Sequence, residues 1–152
     1  MLLAEDHGEL LIYESTTECP LPCYIQGKRF NGTQAHEIGP RLEGYNGKVW
    51  HYPLAIPLRP WERKALSRHL NENLGRPYDT LGATRSGGKI WSRIHRSLHP
   101  ESLSALFCSE STANALRDIE RFDTVSASEW SPNAFIRECT RRGIVLYPRR
   151  LK

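Results

Sequence analysis

The residue in this chain best placed to do covalent chemistry is Cys108, in the stretch "ALFCSESTANAL". A bulky apolar residue precedes it, and the sequence that follows has the composition of a helix. A thiol at a helix start lies over unpaired backbone N–H groups and the positive end of the helix dipole, an environment that favours the thiolate. A cysteine in such a place is also a common small core residue, so spacing alone leaves nucleophile and buried thiol both open. The second grouping is "CPLPC", Cys19 and Cys23, with His36 as a third candidate ligand for zinc. No second Cys/His pair stands at a matching distance, and a Pro-rich loop with two free thiols explains the same residues. "SGGK" at 86–89 lacks the full glycine and Lys-Ser/Thr spacing of a phosphate loop and reads as a plain loop.

The elements that would position these groups follow from hydrophobic period and turn residues. "MLLA" and "LLIYES" flank "EDHGE", which predicts a β-hairpin over residues 1–15 with Gly8 in the turn. If the turn centres on His7 and Gly8, antiparallel pairing puts Glu14 opposite Met1 or its neighbour. His7 itself would lie at the turn, roughly 20 Å along the hairpin from Glu14 at about 3.3 Å per residue. Residues 16–40 turn polar and Pro/Gly-rich, predicting loops with at most one short strand and placing His36 in a loop. "GKVWHYPLA" predicts a third strand bearing His51.

"RPWERKALSRHLNENLGRP" carries the clearest helix signal: Pro60 at its first position, Trp61, Ala65, Leu66, Leu70 and Leu74 on one stripe, then Gly75 and Pro77. His69 falls at the edge of that stripe, and His95 and His99 flank a loop-rich segment. A second helix is expected from about Ser104 or Cys108 to Ile119, burying Ala113, Leu116 and Ile119. A third starts after an N-cap at Ser131, turns Phe135, Ile136 and Cys139 inward and ends at Gly143. "GIVLY" then predicts a terminal strand. Strands first, then mixed helix and strand, predict one α+β domain over 1–152.

With these elements in order, the chain resembles the circularly permuted papain-like family. That group includes the YiiX/YebB-like hydrolases and, more distantly, the lecithin retinol acyltransferase-like proteins and NlpC-type peptidases. The residues that carry the likeness are "LLIYES", "LGRPYDTLGA" and "LFCSE" ahead of a helix, and together they span most of the chain. The resemblance implies a small antiparallel sheet packed against helices and a Cys–His pair whose histidine is oriented by a polar third residue. Cys108 matches the nucleophile and Glu14 the orienting residue. Tyr78, Ser109 and Glu110 match the site wall and oxyanion region, with the Cys108 N–H as an oxyanion donor. The family's histidine lies in a Ser-His-x-Gly run at the start of the first strand, and here that run would fall immediately before Met1. The other histidines of the chain, His36 and His51 included, are poor matches to that place.

The implied chemistry is hydrolysis or acyl transfer at an amide or ester bond through a thioacyl intermediate, with no metal or organic cofactor. The substrate could be a peptide, a peptidoglycan stem or a lipid. The alternative is an inactive ligand-binding or interaction module that keeps the fold. A formal net charge of +4 is too mild, and too bare of helix-turn-helix or stacking-aromatic motifs, to indicate nucleic-acid binding. The N-terminus lacks a basic lead and long apolar run, and no apolar stretch approaches the length of a membrane span, so a cytoplasmic chain is expected. The oligomeric state is left open.

Overall fold

A computed structural model of the chain describes residues 1–6, 8–16, 19–76, 100–123, 127 and 130–152, with backbone alone over 100–107. The expected hairpin forms from β1 (Leu2–Asp6) and β2 (Glu9–Thr16), and pairing of Asp6 with Glu9 leaves a two-residue turn. Gly8 sits at φ +80°, the left-handed conformation such a turn requires. The register pairs Leu2 with Tyr13, so Met1 continues the strand opposite Glu14, as the hairpin argument requires.

A third strand, β3 (Gly32–Glu37), pairs antiparallel with β2 and makes β2 the centre of a three-stranded sheet. It contains His36, which the sequence placed in a loop. Its buried side chains are largely polar, so it lacks the apolar alternation that marks a strand. Helix α1 (Ile38–Glu43) follows directly and packs on β2 and β3.

Alternation along the strands assigns the two faces of the sheet. Leu11, Tyr13 and Ala35 join the main core with Leu66, Leu70, Ala113 and Leu116. Ile12 and Glu14, with their cross-strand partners His36 and Gln34, turn to the opposite face, where α1 lies.

The core face is covered by α2 (Pro60–Asn73) and α3 (Pro100–Asp118), which pack against each other; α3 also packs on β2 and on α4 (Pro132–Arg141). Leu66 and Leu70 are buried as the stripe predicts, but Trp61 is 44 % exposed, with the Arg59 guanidinium 4.8 Å from its ring. Its place on the inner face is taken by Glu62, fully buried against Arg121. α4 is capped by Ser131, whose Oγ accepts from the Ala134 N–H at 3.4 Å, and buries Phe135 and Cys139. Burial pushes the Cys139 thiol up to about 11, which leaves it an inert core residue.

Asp6 ties the hairpin to α2. Its carboxylate accepts from the Tyr13 hydroxyl at 2.7 Å, the Ser67 hydroxyl at 2.8 Å and Asn71 Nδ2 at 2.7 Å. Behind α2, Gly75 stands at φ +76° and its N–H donates to the Thr33 carbonyl at 2.9 Å, joining the helix end to β3. Gly75→Ala should cost about 1–2 kcal/mol in urea unfolding, because a side chain is disfavoured in the left-handed region and its Cβ would meet Gln26 Nε2 at 2.9 Å.

Two expectations about the later strands are corrected. The third predicted strand is reduced to β4 (Trp50–His51), which pairs with β5 (Arg149–Arg150) in a separate two-stranded sheet. "GIVLY" supplies only an isolated bridge between Val145 and Leu54. Pro53 and Pro57 interrupt the first run, and Pro148 separates "GIVLY" from β5. The architecture is α+β, a small antiparallel sheet with helices.

Candidate functional site

Helix α3 begins at Pro100, earlier than the sequence indicated, so Cys108 lies two turns inside it. The dipole effect fades within the first turn of a helix. Inside the helix the Cys108 N–H belongs to the i→i−4 ladder and is not free to serve as an oxyanion donor. The thiol is half-buried against the hairpin instead, with Sγ donating to the Ser15 carbonyl at 3.3 Å. The cavity beside it is bordered by Met1, Leu2, Glu14, Ser15, Thr33, Asn73 and Ser111. Ser15 is buried, and its Oγ has no hydrogen-bond partner among the described residues.

The neighbours of Cys108 separate. Ser109 is buried, and its hydroxyl donates to the Trp130 carbonyl at 2.5 Å, anchoring α3 rather than lining the cavity. Glu110 borders an adjoining polar cleft with His69, Arg76 and Asn114; the two hollows share Thr33, Asn73 and Ser111. Tyr78, His7, His95, His99 and the loop around 86–88 lie outside the described residues.

Among the described residues no histidine shares the Cys108 cavity. His69 Nδ1 lies 2.6 Å from Asp118 Oδ2, and Asp118 is about 15 Å along α3 from Cys108 at 1.5 Å per residue. His51 pairs with Arg149 in the small sheet. His36 is on the far face of the main sheet, and so is the carboxylate of Glu14. The structure therefore sets Cys108 on the Ser15 backbone, and Glu14 borders the same cavity with its carboxylate paired to Arg41.

Glu14 belongs to a second constellation. Both of its oxygens accept from Arg41 on α1, one from Nε and the other from Nη2 at 3.0 Å, and both side chains are largely buried. Pairing with Glu14 holds the Arg41 guanidinium above its ordinary range. His36 Nε2 lies 3.8 Å from Glu14 Oε1, and the residue is 2 % exposed. Burial outweighs the attraction of Glu14 and pushes the His36 imidazole below its usual value, which keeps the ring neutral. Half-buried Cys19 completes the group, while Cys23 is drawn into the core, where its Sγ accepts from the Ala35 N–H at 3.4 Å. The grouping Cys19–Cys23–His36 read from the sequence thus becomes Glu14–Cys19–His36. Glu14 and Arg41 are 27 positions apart in sequence, and no local pattern signals their contact.

Compared with family models, curated proteins and solved structures, the chain matches none. Among the described residues no helix is long and apolar enough to cross a membrane. Its own geometry offers a half-buried thiol against the end of β2, and a largely buried carboxylate–imidazole–thiol cluster on the other face of the sheet.

Proposed function

We propose that the domain is a cysteine-dependent hydrolase or acyltransferase of the permuted papain-like kind, acting on an amide or ester bond. Cys108 Sγ attacks the carbonyl carbon, its proton passes to a general base, and the leaving group takes that proton as the C–N or C–O bond breaks. Water or an acceptor nucleophile then releases the acyl group and restores the thiol. The observation that carries this reading is the seat of Cys108: a half-buried thiol on the Ser15 carbonyl, in a cavity bordered by the start of β1. The Ser15 hydroxyl is the nearby donor suited to the developing oxyanion, in place of the Cys108 N–H.

A base for this thiol would enter along the line of β1 ahead of Met1. Both Met1 and Leu2 border the cavity, and Leu2 shares the core face with its partner Tyr13, so by alternation the first and third residues ahead of Met1 would fall on the side of Leu2. The third is where a Ser-His-x-Gly run abutting Met1 carries its histidine. Substrates of this chemistry include peptides, peptidoglycan stems and lipid esters.

The test compares the chain beginning at Met1 with one carrying Ser-His-Val-Gly ahead of it, both treated with p-nitrophenyl acetate. The expected result is acetylation of Cys108, seen by peptide mass, roughly a hundredfold faster in the extended chain and abolished by Cys108→Ala. Equal rates in the two chains, or acetylation that survives Cys108→Ala, would overturn the reading. The absence of any described histidine from the cavity would then favour the binding-module alternative.

A further inference from the structure

We propose that Glu14, Cys19 and His36 form a binding site for a single zinc ion, on the face of the sheet opposite Cys108. A carboxylate oxygen, a thiol sulfur and an imidazole nitrogen from these residues all lie within 4.8 Å of one another. Ligand atoms around tetrahedral zinc, at about 2.0–2.3 Å from the metal, stand roughly 3.3–3.8 Å apart. The His36–Glu14 edge is at 3.8 Å and the others within 4.8 Å, so closing the set needs shifts of no more than about 1.5 Å.

The independent pointer is His36 itself. The residue is 2 % exposed, yet neither ring nitrogen has a hydrogen-bond partner among the described residues. A buried polar group without a partner is costly, and imidazoles so placed ordinarily find one. The Pro22 carbonyl lies near the ring without reaching hydrogen-bond geometry, and a small ring rotation would let it take a nitrogen-bound proton. That is how a backbone carbonyl fixes the tautomer of a metal-bound histidine and leaves the other nitrogen's lone pair for the ion.

The ion pair with Arg41 is compatible with this role. A carboxylate has about four lone-pair sites, and the guanidinium occupies one on each oxygen. Arg41 then acts as an outer partner that orients the ligand. With a thiolate at Cys19, two ligand charges balance the dication and the guanidinium leaves a net charge of +1, which the half-buried edge at Cys19 exposes to solvent.

The donor set selects the metal class. Magnesium and calcium take oxygen ligands, whereas mixed sulfur, nitrogen and oxygen at tetrahedral spacing suits zinc. Three protein ligands leave a fourth position for water. The ion would staple β2, β3 and the segment after β2; Glu14 also borders the Cys108 cavity, but Cys108 is not a ligand, so the site does not depend on the acyl-transfer reading.

The test titrates the reduced, metal-free chain with zinc against a chromophoric chelator and records the cobalt(II) spectrum of the same protein. The expected result is one zinc per chain and a tetrahedral cobalt spectrum with a thiolate charge-transfer band. Cys19→Ala should abolish the band and weaken zinc roughly a hundredfold or more, while Cys108→Ala should leave both intact. His36→Gln serves as a second ligand variant, with a melting curve to show that it folds. No zinc uptake by the unaltered chain, or zinc held equally well after Cys19→Ala, would overturn the assignment.

Discussion

Phe122→Ala should lower the unfolding free energy by about 3–5 kcal/mol, read as a shift of the urea midpoint with an unchanged slope. Phe122 is 1 % exposed and joins the C-terminal half of the molecule. Its ring meets Trp130 edge-on at 5.6 Å and Phe135 of α4 at 5.1 Å, and the Arg142 guanidinium lies 4.8 Å from the ring centroid. Truncation to a methyl group removes the buried apolar surface and leaves a void among rigid neighbours that cannot close on it. The loss also reaches the helix that carries Cys108, because the Trp130 carbonyl is the acceptor that holds Ser109, next to Cys108. Phe122→Leu should retain a large part of the stability. A loss of less than 1 kcal/mol for the alanine variant would show that this cluster does not anchor the fold.

Glu62→Gln is expected to produce a large fall in melting temperature at pH 7, and that fall should shrink in acid. The Glu62 carboxylate is wholly enclosed and accepts from Arg121 Nε at 2.6 Å and Nη2 at 2.9 Å, from the Arg59 N–H at 2.6 Å and from Arg59 Nη2 at 3.2 Å. These donors, Arg121 foremost and then Arg59, hold the carboxyl well below the usual carboxylate range. Arg121 also donates to the Pro57 carbonyl at 3.2 Å, so the network clamps the entry to α2 onto the turn after α3. An amide of the same shape keeps the volume but cannot accept from both guanidinium arms at once.

The sign follows from linkage. A carboxyl whose folded value is depressed contributes stability that is fully present above its unfolded value, near 4.3, and is lost as pH falls toward the folded value. Melting curves of the two proteins should therefore lie far apart from pH 5 to 7 and converge below about pH 4. A gap that stays constant with pH would assign the effect to packing rather than charge.

What the sequence by itself determined is the local frame. The hairpin turn at Gly8, the register that sets Met1 opposite Glu14, the span of α2 and the capped start of α4 all follow from short-range pattern. In each case Gly, Pro or Ser punctuates a period of two or of 3.6, and the signal spans fewer than twenty residues.

Tertiary structure decided the rest. β3 is a strand because β2 offers it a partner, and its polar Thr33, Gln34 and His36 are buried because the fold closes over them. β4 and β5 come together from positions about a hundred residues apart, a pairing that no window of sequence contains. Cys108 lies on the Ser15 carbonyl, and Glu14 faces Arg41 instead, because the parity of a strand says only that neighbouring side chains part company. Which of the two faces receives the helix that carries Cys108 is settled by long-range burial, where apolar Leu11, Tyr13 and Ala35 find α2 and α3 and leave the charged pair to the other side.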